Sequence, residues 1–397
     1  MVNFELYSPV RVFFGAGERK RIGEVAKTVT NAKTALVVSY LQHDFFKDVL
    51  DGVEESLKSY NINTVTCYNV TANPMISQIK HGIKLCRENN VDVIIGVGGG
   101  SAMDTAKAIG VGVHYDGDVW DFYYSNGSEQ PKPLPDKSVP TIMVPTLPAT
   151  SSEMNNIAVA TNDDTTEKSH ICGNVLYPIA SVIDPELTCT LPAYQTACGA
   201  VDAISHVCEA YFNCEPDTPF QDRLQEGAVK TIMELLPKIL KNPQDANLRA
   251  SMQWTSALCW NGWLHAGVAP RSPMHPIGHV LSARYGVTHG ASLGIVMPSF
   301  FRYVVNRRLD RFAQFGRRIF DLSGTDKEVA YKAIDLFEKF IADNGVQTRL
   351  SQCNIFESEI SVIADDVRRI NCDKDGFLPS NPPVNKDDIE KILRLAL

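Results

Sequence analysis

Apolar residues follow two different rhythms along this chain. Up to about residue 190, short apolar runs alternate with amphipathic stretches. The runs 34–39, 63–68, 91–97 and 141–145 are continuous enough to predict buried strands. Between them, Phe46, Val49, Leu50, Val53 and Leu57 recur at helical spacing and predict a helix over 46–60. Ile76, Ile79 and Ile83 do the same for 76–89. Strands separated by helices of this length predict a parallel sheet covered by helices. After Asp184-Pro185 the strand signals nearly vanish. The 3.6-residue period then predicts helices over 221–240, 246–263, 293–305 and 327–344, with Pro237 and Pro298 able to kink or shorten two of them. Asn385, with Asp388 three positions on, reads as an N-cap opening a last helix over 386–397. The expectation is an α/β domain over 1–190 and an all-α domain over 191–397, with no repeat and no low-complexity linker between them.

A chain of 397 residues exceeds one ordinary core, which agrees with two domains. The formal net charge of −8 gives no basic surface for nucleic acid. No apolar run reaches the length of a membrane span, and the opening residues do not read as a secretory leader. The ten cysteines are scattered, with no C-x-x-C pair, and read as reduced core thiols of a cytoplasmic protein.

Chemistry enters at the end of the 91–97 run, which passes directly into Gly98-Gly99-Gly100-Ser101 and a helical stretch containing Asp104. Strand, glycine turn and helix together suit a pyrophosphate: the backbone can come close, and a helix N-terminus offers unpaired N–H groups and partial positive charge. The spacing is neither GxGxxG nor a P-loop, and a plain tight turn remains the bland alternative. Thr146-Leu147-Pro148-Ala149-Thr150-Ser151-Ser152-Glu153 follows the next strand, where open α/β sheets bind ligands. Hydroxyl residues also cap ordinary helices there.

Among the nine histidines, a subset is spaced for one face of a helix. Asp202 and His206 are four apart, as are His275 and His279, and His289 follows ten residues later. Imidazole and carboxylate are the ligand types of Zn(II) and Fe(II). One Asp and three His leave room for a substrate oxygen. Each residue alone is more often a satisfied histidine or a surface pair. The set carries the reading.

Taken in order, these segments resemble the iron-dependent (group III) alcohol dehydrogenases, in their butanol-dehydrogenase-like branch. The resemblance spans Pro9 to Gly17, Asn73-Pro74, Gly98 to Ser101 with Asp104, and Thr146 to Thr150. It continues through Asp184-Pro185, Gly199 to Asp202 with His206, then His275, His279, His289-Gly290 and Asn381-Pro382-Pro383. It implies the dehydroquinate-synthase-like fold of that family: an N-terminal dinucleotide-binding α/β domain, an all-helical C-terminal domain, and an active site in the cleft between them. It implies a metal, Fe(II) or Zn(II), on Asp202, His206, His275 and His289, with His279 beside it as a proton carrier. Gly99, Gly100 and Ser101 would hold the pyrophosphate of NAD(P). Asn73, Asp104, Thr146, Thr150, Asn155 and Lys168 would line the rest of the cofactor cleft. A homodimer is also implied.

Two departures from the family pattern stand out. Where the branch carries a Gly-rich turn ending in Ser, or elsewhere an Asp, this chain reads Val38-Ser39-Tyr40-Leu41-Gln42-His43. No carboxylate there repels a 2′-phosphate, which points to NADP. Thr288 precedes His289 where many members have Pro. The resulting expectation is reversible hydride transfer between a nicotinamide and a small-to-medium primary alcohol or its aldehyde, with His279 carrying the proton if it titrates near neutral. His265 reads as structural or facing substrate. Trp254, Trp260, Trp263 and Leu264 read as core packing before pocket wall. Arg271 and Arg284 are the cations nearest the histidines in sequence. The alternative enzyme is a metal- and NAD-dependent sugar-phosphate cyclase, a lyase of dehydroquinate-synthase type, which needs more cations than this stretch holds. A non-catalytic binding protein is the alternative outside enzymes.

Overall fold

The computed structural model describes residues 1–40, 44–123, 131–214 and 217–397. Its N-terminal half runs β1 (Arg11–Phe14), α1 (Ile22–Thr30), β2 (Thr34–Tyr40), α2 (Asp44–Ser59), β3 (Asn63–Val70), α3 (Ile76–Asn89), β4 (Val93–Gly98) and α4 (Gly100–Gly112). It continues with β5 (Thr141–Pro145), β6 (Ile157–Thr161), β7 (Lys168–Cys172) and β8 (Ala180–Ile183). Six strands form one parallel sheet in the order β1-β8-β5-β4-β2-β3. The chain winds outward through β2 and β3, then returns to place β4 on the other side of β2. The strand order therefore reverses between β2 and β4. The carboxyl ends of the strands there are the usual ligand position of such sheets. Both faces are buried, which is why β4 and β5 read as unbroken apolar runs. Leu36, Ile94 and Met143 pack on one face, and Val37, Ile95 and Val144 on the other.

The predicted strands and helices of this half form close to the expected bounds. The periodicity did not predict β1 or β8, which are too short to carry a period, nor the antiparallel β6–β7 pair, registered Ile157↔Cys172 to Thr161↔Lys168.

The C-terminal half is helical among the described residues, apart from a lone bridge between Leu378 and Val384. It comprises α5 (Ala193–Asn213), α6 (Pro219–Lys241), α7 (Ala246–Leu258), α8 (Met274–Tyr285), α9 (His289–Val304), α10 (Leu309–Ile319), α11 (Asp326–Asp343), α12 (Ile360–Asn371) and α13 (Lys386–Arg394). Pro237 and Pro298 lie inside α6 and α9 without ending them. One large apolar cluster, built around Phe212, Phe300, Phe301 and Phe312, unites these helices. No helix among the described residues is long and apolar enough to cross a membrane.

Two expected helices are shorter than their apolar pattern. The one expected over 246–263 stops at Leu258. The hydroxyl of Ser151, from the other half, donates to the Ser256 carbonyl (2.6 Å) and accepts from the Trp260 N–H (2.9 Å). Those tertiary bonds replace the next helical turn, and Gly262 (φ +93°) then redirects the chain. Trp263, past the helix end, and Trp254, on the outer face of α7, are exposed, contrary to the core packing their spacing predicts. The last helix ends at Arg394, and the Ala396 carbonyl accepts from the Leu350 N–H instead.

The halves are joined by packing and by an ion pair: buried Glu167 on the β6–β7 turn pairs with Arg369 of α12. Gly199 of α5 lies so close to the loop after β5 that a Cβ there would fall 2.6 Å from the Pro148 carbonyl. The glycine-bearing crevice therefore faces the helical half across a narrow cleft.

Candidate active site

The turn after β4 is made of backbone. Gly98 has φ +150°, and a Cβ on it would lie 2.8 Å from both Ala102 and Tyr40. Gly99 is the N-cap of α4 and supplies no side-chain cap, which leaves the Gly100 and Ser101 N–H groups to an anion, while that of Ala102 bonds the Gly99 carbonyl (3.1 Å). A Cβ on Gly100 would lie 2.6 Å from Thr150, so the turn and the loop after β5 are in contact. Ser101 donates to the Ala72 carbonyl at 2.6 Å, and Lys168 of β7 donates to Asn73 at 3.1 Å. The Thr146 N–H is bound to the Gly98 carbonyl at 2.9 Å. Asn73, Gly99, Gly100, Ser101, Thr146, Thr150 and Lys168 thus surround one crevice.

Asp104 and Asn155 are placed differently. Both oxygens of Asp104 are used internally, by the Ser152 hydroxyl (2.5 Å) and the Val159 N–H (3.0 Å). Asn155 takes the buried Lys107 ammonium on its side-chain and backbone oxygens, each at 2.9 Å. These residues brace the crevice from inside. The end of β2 supplies Ser39, buried and donating to the Val97 carbonyl at 2.8 Å, and Tyr40. The Tyr40 hydroxyl sits over the glycine turn, 3.3 Å from where a Gly99 Cβ would lie. Leu41, Gln42 and His43, where 2′-phosphate discrimination was expected, lie outside the described residues.

Across the cleft, α5 carries Asp202 and His206 one turn apart, α8 carries His275 and His279, and α9 begins at His289. Proline at position 276 costs α8 nothing, because the first-turn N–H groups have no intrahelical acceptor. The crossing of α5 and α9 depends on Gly290, whose Cβ would lie 2.0 Å from the Cys198 carbonyl oxygen. That approach brings His289 onto Asp202.

The Nε2 atoms of His289, His275 and His206 lie 3.4, 3.7 and 4.0 Å from Asp202 Oδ1. Metal–ligand bonds of about 2.0–2.2 Å in a tetrahedron put ligand atoms about 3.4 Å apart. Ligand atoms of Asp202, His275 and His289 all fall within 4.8 Å of one another. Asp202 Oδ1 and His275 Nε2 are buried without a hydrogen-bond partner, a costly state unless a further group is received. These observations fit a divalent cation among Asp202, His275 and His289, with His206, 4.0 Å from Asp202, at the edge of that group. Side-chain exposure rises from 3% for Asp202 to 25% for His289, so the cluster opens on the His289 side.

The electrostatics agree. Burial would raise the Asp202 carboxyl, but His206, His289 and His275 more than reverse this and keep it ionised, below the usual carboxylate range. Burial lowers His206 to about 4. It also pulls His275 down, yet Glu209 and Asp202 carry that ring up to about 10. His279 is set apart from Asp202, its ring centroid 6.0 Å from His275 and 5.3 Å from His289. Burial, with Lys168 and the other histidines, holds it well below its ordinary value. The near-neutral imidazole expected there is not what these surroundings produce.

Sequence reasoning missed Glu209. It follows His206 by three residues on α5 and accepts from the start of α8. The i, i+4, i+7 series Asp202, His206, Glu209 was its only signal. His265 is buried, with its ring 4.6 Å from Trp260, and Trp260 lies 5.6 Å from His206. Trp260 is therefore the tryptophan nearest the cluster. Arg284 is paired with Asp366 (2.9 Å), and Arg271 donates to the Ser380 carbonyl (2.7 Å).

Comparison with known proteins gives a consistent picture. Residues 9–185 match the family model described as iron-containing alcohol dehydrogenase, and residues 196–397 match the C-terminal model of the Fe-containing alcohol dehydrogenase family. The chain is 34% identical over 403 residues to a probable NADH-dependent butanol dehydrogenase of Bacillus subtilis (strain 168), covering 100% of each. It is 32% identical over 371 residues to an NADPH-dependent aldehyde reductase of Escherichia coli (strain K12), covering 91% of this chain and 92% of the other. The crystal structure of an NADH-dependent butanol dehydrogenase from Thermotoga maritima superposes with a TM-score of 0.93 at 34% identity, covering 100% of this chain and 99% of that one.

Proposed function

The chain belongs to the iron-containing alcohol dehydrogenase family, and on that premise we propose that it interconverts a small-to-medium primary alcohol and its aldehyde with NAD(P). The observation that carries this reading is the convergence of Asp202, His206, His275 and His289 beside a glycine crevice suited to a dinucleotide. We assign the metal, Fe(II) or Zn(II), to those side chains; the ligand types suit either ion. The bound cation supplies Lewis acidity toward an alcohol or carbonyl oxygen, and the nicotinamide supplies or accepts the hydride. Asp202 contributes the negative charge that retains the cation. Gly99, Gly100 and Ser101 receive the pyrophosphate on α4, and Asn73, Thr146, Thr150 and Lys168 line the remaining crevice. Asp104 and Asn155 act from behind it.

His279 moves the proton. Its surroundings hold the imidazole neutral, so its role would be a relay, one ring nitrogen accepting a proton as the other gives one up. Trp260, 5.6 Å from His206, offers an apolar surface beside the metal site for a short alkyl chain. The cyclase reading gains nothing, because Arg284 and Arg369 near the cleft are already in ion pairs with Asp366 and Glu167.

We assign NADPH as the preferred nucleotide, supported by the absence of a carboxylate at positions 39 and 40. Similar proteins are named for either nucleotide. We also propose a two-domain chain joined near residue 190, a homodimer, and a cytoplasmic location. Support for the dimer is the edge strand β1, whose Phe14 is exposed. The free cysteines support a reducing compartment.

The test is oxidation of NADPH and NADH with butyraldehyde by protein purified without oxygen and loaded with Fe(II) or Zn(II). Metal-dependent oxidation, faster with NADPH, is expected. No oxidation with either ion across a short aldehyde panel contradicts the reading, and a faster rate with NADH reverses the nucleotide assignment alone.

A further inference from the structure

Glu209 has no solvent exposure and no Lys or Arg partner among the described residues; its ion pair is with His275 alone. Its two oxygens do different things. Oε1 accepts from the backbone N–H groups of Met274 (2.5 Å) and His275 (2.9 Å), at the positive end of α8. Oε2 lies 2.9 Å from His275 Nδ1. An ionised carboxylate only accepts hydrogen bonds, so Nδ1 must be the donor in that contact. The lone pair of a neutral His275 is then on Nε2, the atom that faces Asp202 at 3.7 Å and has no partner. Charge points the same way. Among the described residues, the ion pairs of Asp202 and Glu209 are with histidines only. A divalent cation held there would add positive charge beside two buried carboxylates.

We propose that Glu209 is a positioning residue for the metal: one oxygen fixes the start of α8 and the other fixes the His275 tautomer, so that Nε2 is ready to bind the ion. The inference rests on the metal assignment above and deepens it. The expected contribution follows from outer-shell partners of metal-bound histidines elsewhere, whose loss costs about 10–100-fold in metal affinity.

Glu209→Gln separates the two tasks. The amide oxygen can still accept from the Met274 and His275 N–H groups, which places the NH2 group opposite Nδ1. Two donors cannot pair, so His275 must carry its proton on Nε2, the wrong atom for a ligand. The experiment is Zn(II) titration of the metal-free full-length chain against a chromophoric chelator, for wild type, Glu209→Gln and His206→Ala. Tight binding by wild type is expected, with none by His206→Ala and a loss of about 10–100-fold for Glu209→Gln at an unchanged melting temperature of the metal-free protein. Glu209→Gln binding Zn(II) as tightly as wild type overturns the inference and leaves the proposed function standing. A wild-type chain that takes up no Zn(II) overturns both. If Glu209→Gln does not fold, ¹⁵N-histidine spectra of zinc-loaded wild type decide instead. A slowly exchanging proton on His275 Nδ1 is expected, and a proton on Nε2 overturns the inference.

Discussion

The glycine turn after β4 and the histidine cluster of α5, α8 and α9 face each other across one cleft, yet they are built from different materials. The turn offers backbone N–H groups on a sheet whose strands are buried on both faces. Its side chains matter mostly by their absence: a Cβ on Gly98 or Gly100 would strike a neighbour at 2.8 or 2.6 Å. The cluster offers side chains from three helices, and its geometry depends on how those helices cross. Gly290 permits one crossing, and Glu209 fixes one helix start. A backbone cradle tolerates changes of side-chain chemistry but not of volume. A side-chain cradle is sensitive to single atoms and to the frame that carries them.

The contrast breaks most sharply at Asp202. Asp202→Asn keeps the volume and removes the charge, and should lower kcat/KM for butyraldehyde on the order of 10³-fold or more, because a Lewis acid contributes several kcal/mol. Bound metal should fall with it while nucleotide binding, read by NADPH fluorescence, persists. Loss of nucleotide binding as well would mean that the two cradles are not separate.

Next comes the frame. Arg311 of α10 pairs with Asp222 of α6 (2.6 Å) and donates to the Tyr211 carbonyl of α5 (2.9 Å). Asp222→Ala leaves a buried guanidinium uncompensated and should cost about 3–5 kcal/mol in urea unfolding. Burial pushes the Asp222 carboxyl up, but Arg311 and Gln314 hold it below its ordinary value. A carboxylate lowered in the folded state stabilises above its unfolded pKa of about 3.9 and loses that contribution as pH falls through the folded value. Wild type and Asp222→Ala should therefore converge in stability in acid.

A smaller effect is expected for His279→Asn, about 10²-fold in kcat, within the usual range for general acid–base groups, with metal content unchanged. Loss of the metal would move His279 into the ligand set. Gly100→Ala should be the mildest, about tenfold in the KM for nucleotide through displacement of Thr150, a cost near 1.4 kcal/mol. Unchanged metal uptake in that variant sharpens the comparison.

Much of the sheet half was legible, because buried parallel strands carry dense apolar runs and β2, β4 and β5 are of this kind, while the half-exposed edge strand β3 was read from its β-branched residues. Short β1 and β8 were not, since four residues hold no period and their pairing is decided by partners far along the chain. The helix over 246–263 was over-read for a related reason: Ser151, more than a hundred positions away, ends it at Leu258. The cluster was legible through the spacing of Asp202 and His206 and of His275 and His279. Glu209 was not, because an acid three residues after a histidine looks like a surface pair until α8 arrives from 65 positions away. His279 was identified by position, but not its low proton affinity, which comes from burial and from Lys168.

The most direct test of the central claim is metal content measured with turnover on the same samples, for wild type and His206→Ala, both purified without oxygen and loaded with Fe(II) or Zn(II). A cation bound by Asp202, His206, His275 and His289 predicts one ion per wild-type chain, and loss of both ion and butyraldehyde reduction in the variant. A His206→Ala protein that keeps its full metal content and full turnover would contradict the account.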